Sequence, residues 1–77
     1  MDATHMNQQD PRAYRRLAAL IRQQIGDGKL QSGQPTPSIT SLSQEYEHAR
    51  QTCSKALRIL EREGLLARIP GLGYYVC

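Results

Sequence analysis

The sequence contains no Trp and no Phe, and its only aromatic residues are four Tyr. With 39% apolar residues over 77 positions, the core must be thin and built from aliphatic side chains. A chain this short buries only about 60% of the surface it exposes when unfolded, which leaves room for one small domain. Long apolar runs are absent. The longest, Leu17–Ile21, has five residues, against the roughly 20 that a membrane-spanning helix needs. The N-terminus is polar and has no apolar stretch of the secretory type. Two cysteines, Cys53 and Cys77, do not make a disulfide framework. A reducing, cytoplasmic compartment is the expectation. Charged residues make up 22%, an ordinary globular share that argues against disorder throughout.

Charge is present in excess of one sign and unevenly placed. The net charge is +3. Residues 1–26 carry four Arg against two Asp, and residues 49–77 carry five basic side chains against Glu61 and Glu63. Between them, Lys29 faces Asp27, Glu45 and Glu47. Basic ends around an acidic middle suit a polyanionic partner met by particular elements. Residues 1–10 read as a leader and disordered N-terminus, with His5-Met6 typical of a cloning junction, and residues 11–77 as the domain.

Asp10-Pro11 predicts a helix start, Asp as cap and Pro with φ already set. Tyr14, Leu17, Ala18, Ile21 and Ile25 then recur at helical spacing. Gly26 and Gly28 stop this first helix near residue 27, Gly28 serving as the left-handed cap. Residues 29–37 hold two Pro and a Gly and predict a loop, with one short extended piece near Gln34–Thr36. Ser38 caps a second helix whose stripe is Ile39, Leu42 and Tyr46. A third helix over about 50–63 buries Cys53, Ala56, Leu57 and Leu60 and ends at Gly64. Leu65–Ile69 and Tyr74–Val76 are β-prone and flank Pro70-Gly71-Leu72-Gly73, a hairpin loop. The order is α-α-α-β-β, mainly α with a small hairpin, and a possible short strand after the first helix. Helices 2 and 3 are joined by a tight turn, so the expected fold is a three-helix winged helix-turn-helix.

That plan carries a chemical expectation. A helix fits the major groove of duplex DNA, where exposed side chains reach base edges. The exposed face of the third helix reads Arg50, Gln51, Ser54, Lys55 and Arg58. Arg pairs with guanine, Gln with adenine, and Ser with either. No acid occurs from Ala49 to Leu60, as a phosphate-facing helix requires. In the hairpin, Gly71 and Gly73 on either side of Leu72 let the backbone approach phosphate or the minor groove. No Ser/His/Asp set, phosphate-binding loop or carboxylate pair can be assembled, so no enzyme is expected. No cofactor is expected either. His48 and Cys53 fall short of the four ligands of a zinc site, so no metal is expected.

The ordered set resembles the DNA-binding domain of GntR-family bacterial regulators. Its pieces are Tyr14, Leu17, Ile25 and Gly28, then Pro37-Ser38, Leu42, Arg50-Gln51-Thr52, Ala56-Leu57, Leu60, Glu63-Gly64-Leu65 and Gly71-Leu72-Gly73-Tyr74-Tyr75-Val76. Tyr46 and the wing are most similar to the HutC-like branch, which includes actinobacterial and plasmid-transfer repressors. The resemblance implies that Arg50 and Thr52 contact DNA from the turn, that Ser38 touches phosphate, and that Gly71 is a wing contact. It implies sequence-specific binding to double-stranded operator DNA, an inverted repeat, by a repressor. The full-length parent would pair as a homodimer through a C-terminal effector domain. Four positions depart from the family pattern. Thr40 stands where Arg is common, Glu47 replaces the turn Gly, Ala49 replaces the Ser that caps the third helix, and Ser54 replaces an Arg. The competing expectation is a winged helix that binds protein through the same face.

Overall fold

The computed structural model describes residues 11–77. The Asp10 cap and the leader expected over residues 1–10 lie outside the described residues. Three helices, α1 (Pro11–Gly26), α2 (Ile39–Tyr46) and α3 (Arg50–Arg62), precede an antiparallel hairpin of β1 (Leu66–Ile69) and β2 (Gly73–Val76). The register pairs Leu66 with Val76 and Ile69 with Gly73.

The core sits where these elements meet. Leu17, Ala18 and Ile21 enter from α1, Leu42 from α2, and Cys53, Ala56, Leu57 and Leu60 from α3, with Leu66 and Val76 closing it from the hairpin. The aliphatic stripe read from the sequence is the buried stripe. Its outer members Tyr14, Ile25 and Ile39 are only partly covered and pack on the core's edge. Burial pushes the Cys53 thiol above its ordinary range, with its own backbone hydrogen bond and the positive charge of Arg50 pulling weakly the other way. A neutral, enclosed thiol reacts slowly. An aromatic disulfide reagent is therefore expected to titrate the exposed Cys77 at once and Cys53 only after denaturant is added; two fast thiols would show that the core opens readily.

Helix ends are closed by local chemistry. Ser38, in extended conformation, accepts the Ser41 N–H at 3.0 Å. At the far end of α3, Gly64 adopts φ +83°, and its N–H and that of Leu65 reach back to Glu61 and Leu60 carbonyls. This is the Schellman arrangement, and Leu65 folds back onto the core as its apolar contact. Arg22 reaches across from α1 to bind Glu63 through two bonds of 3.0 and 2.8 Å. Both side chains are well exposed, so the pair adds under about 1 kcal/mol.

Two loops depart from the sequence expectation. The hairpin loop is three residues rather than four, because Gly73 pairs with Ile69. Pro70-Gly71 occupies the centre of a type II turn closed by the Leu72 N–H on the Ile69 carbonyl, and Gly71 has the positive φ (+81°) that turn demands. The extended piece near Gln34–Thr36 forms only a single bridge, Pro35 to Tyr75. Its bonds come from the flanking residues, Thr36 N–H to Tyr74 and Val76 N–H to Gln34, both 2.9 Å. Pro35 therefore loses nothing by lacking an N–H.

The turn between α2 and α3 runs through Glu47, which takes the left-handed conformation (φ 55°, ψ 41°) without being glycine. Ser43 Oγ donates to the His48 carbonyl at 2.6 Å and ties the turn down. A non-glycine residue there costs about 1–2 kcal/mol, partly offset by the chain entropy glycine would lose. Glu47→Gly is expected to raise stability by roughly 0.5–1 kcal/mol, read from the urea midpoint. A lowered midpoint would show that the Glu47 side chain has a supporting contact.

Candidate nucleic-acid interface

The bridge between residues 34–36 and β2 has a positional consequence. It fixes Pro37-Ser38, and with them the start of α2, directly beside the hairpin. The hairpin packs onto the core with Leu66 buried in it and Tyr74 at its edge, and β1 lies against α3. Three elements distant in sequence thus enclose one open groove of about 390 Å³. Ser38 and Thr40 line it from α2, Arg50 from α3, and Arg68, Gly71, Leu72 and Gly73 from the hairpin, with Leu57 and Tyr74 beneath. No acidic residue lines it. Two guanidiniums, hydroxyls and approachable backbone suit an anion.

Arg50 is not loose within this groove. Its Nη1 donates to Thr40 Oγ1 at 2.8 Å, across the helix–helix turn. Arg68, which the sequence places beside the wing but which no motif singled out, joins the same lining. The signal was available: Arg68 lies two residues from the Pro-Gly turn, on a strand that must pair with the wing's second strand.

The rest of the expected residues divide by the geometry of α3. Gln51, Lys55 and Arg58 are exposed and Ser54 is half-buried, so they form a surface continuous with the groove's Arg50 wall. Thr52 is not on that surface. Only 6% of it is exposed, on the core side with Ala56 and Leu60. Lys55 lies to one side of the face, its Nζ 4.7 Å from the centre of the Tyr14 ring on α1, within cation–π range. Ala49 gives α3 no side-chain cap. Leu72 at the hairpin tip is 69% exposed and Ile69 39% exposed, an apolar tip on an otherwise basic side. Acidic residues of α3 are confined to its last turn and cap, Glu61 and Glu63. Among the described residues no group of three or more His, Cys, Asp and Glu side chains is placed to hold a metal ion, and no helix is long and apolar enough to cross a membrane.

The family model described as bacterial regulatory proteins, gntR family, matches residues 13–76. The chain belongs to the GntR family. Its three helices and hairpin are that family's winged helix-turn-helix DNA-binding domain. Among curated relatives, the mannosyl-D-glycerate transport/metabolism system repressor MngR of Escherichia coli (strain K12) is 40% identical over 63 residues, covering 82% of this chain and 26% of the relative. The HTH-type transcriptional repressor NagR of Bacillus subtilis (strain 168) is 34% identical over 73 residues, covering 94% and 30%. Among solved structures, the AraR DNA-binding domain in complex with operator ORR3 superposes with a TM-score of 0.81 at 31% identity, over 84% of this chain and 78% of that one. The GntR chain described here thus spans less than a third of the length of these two curated relatives.

Proposed function

We propose that this domain is the operator-reading module of a cytoplasmic bacterial transcriptional repressor, with α3 in the major groove and the hairpin wing on the adjacent backbone or minor groove. One observation carries the reading: the exposed face of α3, free of acidic residues from Arg50 to Leu60, runs directly into the groove whose walls hold Arg50 and Arg68. Arg50, Gln51 and Ser54 face base edges. Lys55, Arg58 and Arg68 meet phosphates, and Ser38 at the start of α2 holds a phosphate beside Gly71–Gly73. Thr52 contributes by seating the first turn of α3. The repressors among the relatives and the operator bound to the AraR domain support this assignment. It gives the domain no catalytic part.

A full-length parent would pair two such domains on an inverted repeat through a C-terminal effector domain. Among the described residues the exposed large apolar side chains are Ile69 and Leu72, which make no seam of coiled-coil type. The isolated domain is expected to sediment as a monomer and to bind a half-site weakly; a tight dimer at micromolar concentration would contradict this. The reading itself is tested by fluorescence anisotropy on a DNA duplex at several salt concentrations. Log affinity should fall steeply with log salt, by about 0.9 per phosphate neutralised. The competing reading, a protein-binding wing, draws on exposed Ile69 and Leu72. It would be favoured by weak, salt-insensitive retention on DNA.

A further inference from the structure

We propose that Thr40 is a positioning residue that acts through Arg50, making the two a single reading unit. This rests on the assignment of α3 to the DNA interface. Arg50 is the first residue of α3, where no preceding helical turn restrains a long, rotamer-rich side chain. The 2.8 Å bond to Thr40 Oγ1 supplies that restraint. Thr40 is itself held, because it lies in the first turn of α2, behind the Ser38 cap and the bridge from residues 34–36 to β2. The support therefore runs from the wing strand through the start of α2 to the guanidinium.

The partner's chemistry matters. A carboxylate at this position would neutralise Arg50 and compete with DNA for its donors. A hydroxyl takes one of the five N–H donors and leaves the charge and the other four for a base edge or phosphate. Thr40 is also uncharged and short, so it cannot supply the cationic contact of the Arg common in the family at this position. An arginine fixed before binding loses less freedom on the DNA, and that gain is largest where a fixed geometry is required, at a base edge.

The test uses a duplex selected by the wild-type domain from a randomised pool and a scrambled duplex of equal length. Thr40→Val is expected to cut the selected-to-scrambled affinity ratio about 3–10-fold, the range that freezing one side chain supplies. Affinity for the scrambled duplex and the salt slope should not change. Thr40→Ser should restore the ratio, and in an Arg50→Ala background Thr40→Val should add nothing. Thr40→Arg should instead bind both duplexes more tightly, with a salt slope steeper by about one. Equal loss on both duplexes for Thr40→Val, failure of Thr40→Ser to rescue, or a loss that persists without Arg50 would each overturn the proposal and make Thr40 an independent contact. An Arg50→Ala domain that binds both duplexes like wild type would remove the broader assignment of α3, and the proposal with it.

Discussion

Leu57→Ala should lower the melting temperature by at least about 10 °C, the consequence of losing about 2–5 kcal/mol from a domain of this size. Leu57 is 1% exposed and belongs to the cluster that joins all three helices to the hairpin. It also lies beneath the groove, under the wall formed by Arg50 and the wing. Truncation leaves a cavity that thin elements on every side cannot fill. Total stability for so short a chain is expected at roughly 4–11 kcal/mol, so the variant approaches the limit of folding. Leu57→Met, nearly equal in volume, should cost less than about 1.5 kcal/mol. Thermal unfolding followed by circular dichroism checks both. An alanine variant melting within a few degrees of wild type would mean that Leu57 is not a core residue.

Arg50→Ala is the second large effect, and its size depends on what Arg50 meets. If the guanidinium reads a guanine edge, the variant should lose about 1–3 kcal/mol on the selected duplex and much less on a scrambled one. If it pairs only with phosphate, the loss should be similar on both, with the salt slope shallower by about one. The bond to Thr40 favours the first outcome, because it holds the side chain in one geometry. Lys55→Ala should follow the phosphate pattern, while Tyr14 keeps Lys55 beside rather than at the centre of the face.

Much of this was legible in the sequence because it is local. The stripe from Tyr14 to Ile25, the Ser38 cap and the Gly64-Leu65 ending of α3 each depend on residues a few positions apart, and all three stand in the structure. Glu47 in place of a turn glycine left two outcomes open, a strained left-handed turn or a reshaped one, and the structure keeps the left-handed conformation. The burial of Thr52 was readable too, since Thr52, Ala56 and Leu60 fall at i, i+4 and i+8 on one helix face. The family pattern drew attention to its chemistry instead. What local reasoning could not supply is the groove. It depends on the bridge from Pro35 to Tyr75, 40 positions away, which sets the start of α2 against the wing in a groove that Arg50 and Arg68 both line. The approach of Lys55 to Tyr14 is equally non-local.

The central claim is that α3 and the wing form one DNA-facing surface. The most direct measurement is a two-dimensional NMR titration of the isotope-labelled domain with the selected duplex. The account predicts that amide shifts concentrate on Ser38 and Thr40, on Arg50, Gln51, Ser54 and Arg58, and on Gly71 to Gly73, and that they fade as salt is raised. Shifts confined to the patch between α1 and α3 around Arg22, Ile59 and Glu63, with none in the groove, or no shifts at low salt, would contradict it.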